Sequence, residues 1–327
     1  MKPEHPIFPG VPLVESPIFS AEIDRMQLDD REKEIAIALN RDGYVVIDFP
    51  DPDLDGRIDR IRADLAPQLG IDDSDHSSIK QGGIGRIQDA WKTQPDVKAI
   101  AANPVILDLL SRLYGRSAFP FQTLNFPVGT QQDLHTDSVH FSSVPPRFMC
   151  GVWLAMEDIH DDAGPLNYVP GSHKWPMMDN CMIGRRGADS RPESAQLPFH
   201  DAWAALISVQ NAPTERFLAR KGQALIWCAN LLHGGSVQTD PRRTRWSQVT
   251  HYYFDDCVYY TPAHSDEYLG RLDLRQIVSI ADMTSKPNIY QGAAVSDPKS
   301  VRPPLRNALP HRLRRGITGL ISRITGG

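Results

Sequence analysis

Hydrophobic positions along the chain fall into two regimes. Between Ala21 and Arg41, Ile23, Met26, Ile35, Ile37 and Leu39 recur among charged residues, which predicts an amphipathic helix stopped by Gly43. Tyr44-Val45-Val46-Ile47 follows, β-branched and aromatic enough for a short buried strand. Leu54 to Leu69 repeats the helical pattern. So does the region from Pro95 to Tyr114, with a break expected at Pro104, whose ring and missing N–H interrupt a helix. From about Ala118 the runs shorten. Phe121 to Phe126, Phe148 to Met156, Gln223 to Cys228 and Thr244 to Phe254 have strand composition between glycines and prolines. Helices followed by many short strands predict a mainly β fold with flanking helices, a double-sheet jelly roll.

This divides the chain into an extended, proline-spaced leader (1–20), one unit (21–290) and a basic tail (291–327). The jelly-roll core is expected from about 118 to 255. Residues 176–214, rich in Arg, Asp, Ser and Pro with weak helical signals at Ala202 to Val209, interrupt it. An irregular insertion of that length is more often a lid or binding loop than filler. Within the tail, Leu309 to Ile324 has a weakly amphipathic, arginine-rich pattern, but Gly316 and Gly319 disfavour a stable helix.

Composition narrows the field by exclusion. A net charge of −5 carries no footprint for nucleic acid. No run of about 18 apolar residues predicts membrane insertion. Cys150, Cys181, Cys228 and Cys257 are scattered without a CxxC pair, which predicts free thiols and a cytoplasmic protein. The pattern leaves the oligomeric state open.

Chemistry concentrates in His135-Thr136-Asp137 and, 96 residues beyond Asp137, His233. Residues i and i+2 of an extended segment share a face, so His135 and Asp137 can reach one ion while Thr136 points away. Two imidazoles and one carboxylate suit iron(II) and leave open positions for other molecules. His233 lies between Leu231-Leu232 and Gly234-Gly235, placed to project inward from a strand end. Downstream, Arg245 and Ser247 share one strand face, where a guanidinium fork and a hydroxyl together suit a carboxylate. Arg243 has the same parity and stays as the alternative. Gln122 is a further candidate for holding that same carboxylate-bearing cofactor. Asn125, His140 and Trp153 are candidates for a substrate pocket, and Arg185, Arg186 and Arg191 of the insertion for clamping a substrate carboxylate or phosphate.

Leu134-His135-Thr136-Asp137, Gly164-Pro165-Leu166-Asn167-Tyr168-Val169-Pro170-Gly171-Ser172-His173, Leu232-His233-Gly234-Gly235-Ser236 and Arg245-Trp246-Ser247 occur in that order. Together they make the chain, over roughly residues 40–255, similar to the phytanoyl-CoA dioxygenase family of iron(II)/2-oxoglutarate oxygenases. The resemblance implies a double-stranded β-helix (cupin-like jelly roll) with His135, Asp137 and His233 as iron ligands. It implies that 2-oxoglutarate chelates the iron, with its far carboxylate on Arg245 and Ser247. Oxygen would be the second co-substrate and a small molecule the primary one, hydroxylated with release of succinate and carbon dioxide. His173 reads as a structural hydrogen-bonding residue. Two other readings remain at this stage: a non-catalytic cupin-like binding module, and a hydrolase or isomerase using the same ligands with zinc or manganese.

Overall fold

The computed structural model describes residues 7–72, 85–191 and 195–295. The chain opens with a 3-10 turn at Leu13–Glu15 and a short helix, α1 (Phe19–Glu22). The described part of the leader is tied down, with Val14 fully buried and the Glu15 carboxylate paired with Arg147 at 2.5 Å. The single helix expected over Ala21 to Arg41 is two pieces. Asp29 begins a new helix, α2 (Asp30–Asp42), through a capping box in which its side chain accepts from Glu32 N and Glu32 accepts from Asp29 N. Gly43 ends α2 at a left-handed φ of 82°.

Strand β1 (Tyr44–Asp48) and helix α3 (Leu54–Gln68) follow, then strand β2 (Ile87–Gln88). The break at Pro104 separates α4 (Pro95–Ala101) from α5 (Pro104–Tyr114), where the Asn103 side chain caps the backbone N–H of Val105 and Ile106. The later strands are β3 (Ala118–Phe126), β4 (Ser142–Val144), β5 (Met149–Ala155), β6 (Leu166–Tyr168), β7 (Glu215–Phe217), β8 (Gln223–Cys228), β9 (His233–Gly235), β10 (Ser247–Phe254) and β11 (Val258–Tyr260). Helix α6 (Leu197–Gln210) lies between β6 and β7.

Six strands form an antiparallel major sheet in the order β1-β8-β5-β10-β3-β2. It therefore draws β1 and β2 from ahead of residue 118, where the sequence pattern had placed only helices and one isolated strand. A minor sheet runs β7-β6-β9, and β11 pairs with β4. The two sheets make the jelly roll. Strand alternation gives the major sheet two buried faces. Val45, Ile47, Ala224, Ile226, Val152, Leu154 and Tyr252 meet the helices on the outer face, while Leu225, Trp227, Trp153, Val249, Leu124 and Phe126 point between the sheets. His135, Asp137 and His233 stand on the inner side, beside Trp227.

The described residues of the insertion, 176–191 and 195–214, form a wall against the core. Phe199 and Trp203 of α6 pack with Met178 against Val139, Val169 and Leu232. That contact anchors α6 beside the segments carrying Asp137 and His233. No helix among the described residues is long and apolar enough to cross a membrane. All four cysteines are free. The arginine-rich segment from Leu309 to Ile324 lies outside the described residues.

Candidate metal centre

His135 and His233 are joined through their backbones. His135 N donates to His233 O at 2.9 Å and His233 N to His135 O at 3.0 Å, an antiparallel bridge that extends the minor sheet by one residue. Both side chains of a directly opposed pair project to one face, and the imidazole centroids lie 4.7 Å apart. Thr136 is extended (φ −110°, ψ 141°) and sends its hydroxyl to Ser138, so Asp137 returns to the histidine side. Asp137 itself opens a 3-10 turn (Asp137–Val139), so the two-residue periodicity holds across one extended residue without a regular strand. One ligand atom from each of His135, Asp137 and His233 lies within 4.8 Å of the others, and all three residues are buried.

The surroundings fix the donor atoms. His135 Nδ1 meets Asp133 O at 2.8 Å and His233 Nδ1 meets Leu231 O at 3.0 Å. A carbonyl oxygen only accepts, so each Nδ1 carries the proton and each Nε2 keeps its lone pair for a metal. Burial first, and then the neighbouring His233, push the His135 imidazole down to about 3. It is neutral at working pH, as a metal ligand requires. Burial alone would raise the Asp137 carboxyl; the neighbouring His233 and His251 outweigh it and hold the group well below the usual carboxylate range. Asp137 Oδ2 also accepts from Trp227 Nε1 at 2.9 Å and stands 3.5 Å from His251 Nε2. Neither contact was singled out in the sequence. Trp227 reaches the carboxylate because Gly151, opposite it in the β5–β8 register, leaves room: a Cβ there would lie 2.1 Å from the indole.

The three ligands open onto a cavity of about 760 Å3. Arg245, Gln122, His140 and Trp153 all reach its wall. Arg245 is buried, 5.7 Å from the centre of the Trp153 indole, and its Nη1 donates to Gly164 O at 3.0 Å. Its Nε has no hydrogen-bond partner, nor has the buried Oγ of Ser247 on the same face. Burial pushes the guanidinium down to about 10, so it is charged at neutral pH. A buried cation with an orphaned N–H beside an orphaned hydroxyl fits one end of a dicarboxylate. Ser247 itself does not line the cavity. The alternative, Arg243, is turned away and pairs with Asp162 and Asp240.

Gln122 spends its Oε1 on His251 Nδ1 at 3.0 Å. His140 faces the insertion, with Nε2 3.0 Å from Gln196 Oε1. Asn125 is not in the cavity. It has the opposite parity to Gln122 and Leu124, and its amide donates to Gln248 on the helix-facing side of the sheet. Arg185 and Arg186 also lie elsewhere: both line a separate depression with Asp266 and Tyr268, and Arg186 pairs with Asp189. Arg191 is exposed and likewise off the cavity wall. The arginines that do line the cavity, besides Arg245, are Arg86 and Arg275. His173 is structural, with Nε2 3.1 Å from Asn40 O and its ring packed against Gly43.

Two histidines and a carboxylate on one side of a jelly roll, facing a buried unpaired arginine, define a non-haem iron centre with a place for 2-oxoglutarate. The family model described as phytanoyl-CoA dioxygenase matches residues 39–245, and the chain belongs to that family. It is an iron- and 2-oxoglutarate-dependent oxygenase, which sets aside the binding-module and hydrolase readings. No curated protein matches in a sequence comparison. Among solved structures, the epimerase SnoN in complex with iron(III), α-ketoglutarate and nogalamycin RO superposes with a TM-score of 0.52 at 20% identity, over 81% of this chain and 96% of that one. The α-ketoglutarate-dependent carbocyclase SnoK from nogalamycin biosynthesis gives 0.55 at 18%, over 77% and 94%. EctD from S. alaskensis, with 2-oxoglutarate and 5-hydroxyectoine, gives 0.53 at 17%, over 84% and 86%. These likenesses establish a shared fold.

Proposed function

We propose that the enzyme hydroxylates an unactivated C–H bond of a small molecule, with release of succinate and carbon dioxide. The observation that carries this reading is the pairing of an open three-ligand face with the orphaned Nε of Arg245 at one cavity, the Ser247 hydroxyl being likewise unpartnered on the arginine's face. When bound, iron(II) supplies oxygen activation coupled to oxidative decarboxylation of 2-oxoglutarate. The protein's part is positional. His135 and His233 present Nε2 because the carbonyls of Asp133 and Leu231 hold their Nδ1 protons. Trp227 fixes the Asp137 carboxylate. Arg245 takes the far carboxylate of the co-substrate with Ser247 beside it, and the Trp153 indole packs 5.7 Å from the guanidinium. The cavity is within the range of small-molecule sites, roughly 300–1,000 Å3, which leaves space for a second organic molecule. Secondary metabolites are the favoured substrate class, since SnoN and SnoK are named for nogalamycin chemistry. Those names also motivate a second outcome, epimerisation or ring closure after the same hydrogen abstraction.

The test is an anaerobic titration of iron(II) and 2-oxoglutarate, following the weak visible charge-transfer band of the chelate. We expect a band in wild type, none in His135→Ala, and about a tenfold or greater rise in the 2-oxoglutarate requirement of Arg245→Ala, from loss of charge-assisted bonds. Tight metal binding without a band would sink the reading. With oxygen and candidate substrates, succinate release measures turnover. Product mass then separates a gain of one oxygen from loss of two hydrogens or no change.

A further inference from the structure

The end of the cavity away from Arg245 is built for an anion as well. His251 marks the middle: its ring lies beside Asp137 and is 5.0 Å from the ring of Phe141 and 6.0 Å from that of Phe121. Arg245 precedes His251 by six residues on the same extended run, about 20 Å at 3.3–3.4 Å per residue. On the other side, the Arg275 guanidinium lies 4.8 Å from the centre of Phe141 and 5.9 Å from that of Phe121. Arg245 and Arg275 thus flank the metal ligands from opposite ends of one cavity. A 2-oxoglutarate chelated to the metal engages one of them and leaves the other for a different molecule.

Arg275 is held in a receptive state. Its Nη1 donates to Thr261 Oγ1 at 3.3 Å, while its Nε is buried with no hydrogen-bond partner. Thr261 and Arg86 line the same end, and both arginines act electrostatically on His140. Asp273 is the one acidic lining residue there, so the local balance is cationic. Phe141 and Phe121 hold the guanidinium by cation–π contact, and Phe141 offers aromatic surface to an apolar body in the cavity. A guanidinium with a free N–H beside a hydroxyl suits a carboxylate or a phosphate.

We propose that Arg275, with Thr261 and Arg86, binds an anionic oxygen group on the primary substrate, so that the molecule oxidised is an acid anchored opposite the co-substrate. This makes Arg275 a specificity-determining residue, a task the insertion arginines are too far from the cavity to perform. The inference rests on the oxygenase reading for its meaning, but the binding test does not need turnover. Trp153 and Trp227 line the cavity, so tryptophan fluorescence reports occupancy.

Anaerobic iron(II)-loaded enzyme saturated with 2-oxoglutarate would be titrated with hexanoate, hexyl phosphate, hexanol and hexylammonium. We expect both anions to bind at least about tenfold more tightly than hexanol or hexylammonium. Arg275→Gln should abolish that preference and Arg275→Lys keep part of it, with the melting temperature and the 2-oxoglutarate titration unmoved. The tighter of the two anions identifies the group as carboxylate or phosphate. Equal binding of hexanol and hexanoate, no acid binding at all, or an anion preference indifferent to both variants would overturn the proposal. So would an Arg275→Gln variant whose defect is in 2-oxoglutarate binding, which would make Arg275 the co-substrate anchor. A wild type with no charge-transfer band but an intact Arg275-dependent preference would defeat the oxygenase reading and uphold the anion site.

Discussion

Trp227 does for Asp137 what two backbone carbonyls do for the histidines: it fixes a ligand in one orientation. Removing such a support costs metal sites about 10- to 100-fold in affinity. Trp227→Phe keeps an aromatic ring and deletes the N–H, at some cost in packing because the ring is smaller, and should weaken iron(II) or cobalt(II) binding by that order in a competition titration. The convergence of His135, Asp137 and His233 was legible in the sequence, since HxD and a distant His before Gly-Gly carry their own spacing. Trp227 was not, because its role depends on the cross-strand register with Gly151. Asn125 was misplaced for the same kind of reason: only the parity of β3 tells that Gln122 faces the cavity and Asn125 the helices. Protonation follows from burial too. His135 and His173 are pushed down to about 3 and about 4, in both cases first by burial. Between those values and the unfolded value near 6.5 the unfolded chain binds more protons, so the metal-free protein loses stability as pH falls. The slope approaches about 1.4 kcal/mol per pH unit for each buried histidine. Thermal melts from pH 7 to pH 5 should follow this, and His135→Gln should flatten the dependence.

At the scale of elements, two strands and one insertion decide the site. Gly151 of β5 is the space into which the Trp227 ring of β8 fits. Gly151→Ala has to displace the indole, and overpacking of this kind costs about 1–3 kcal/mol. The expected result is a lower melting temperature and a metal-binding loss comparable to that of Trp227→Phe, although residue 151 touches no ligand. The longer strands of the major sheet were readable from runs of β-branched and aromatic residues, though β3 starts three residues earlier and β10 three later than those runs, and the α4–α5 break was readable from Pro104. Two features were not. The apolar spacing from Ile23 to Leu39 continues through a helix boundary, so only the Asp29–Glu32 capping pair marks the true start of α2. The polar composition of 176–214 hid how firmly Phe199 and Trp203 seat α6 on the core. Phe199→Ala should therefore cost about 3–5 kcal/mol and raise uncoupled 2-oxoglutarate consumption, measured as succinate formed without substrate, as the wall beside Asp137 and His233 loosens.

For the whole molecule, the jelly roll joins ligands from distant parts of the chain: the histidines on the minor sheet, and a carboxylate tied to Trp227 of the major one. A metal that binds only the folded state adds stability by linkage, about 2.7 kcal/mol at a hundred times the dissociation constant. Iron(II), or cobalt(II) as a stable substitute, should raise the melting temperature by about 5 °C at that excess, and His233→Ala should abolish the rise. Fold class was legible at this scale because helices preceded a series of short strands. The recruitment of β1 and β2 into the major sheet was not: β1 pairs with β8 more than a hundred residues away, and the two-residue β2 is too short to show a period of its own.

The reciprocal backbone pair between His135 and His233 turns those two amides into isotopic reporters. In deuterated water each exchanges only when the chain parts between them, at the point where the metal sits. Their exchange rates with and without metal therefore give the free energy by which the ion holds that seam closed. Amides elsewhere in β6 and β9, away from the ligands, provide the internal standard.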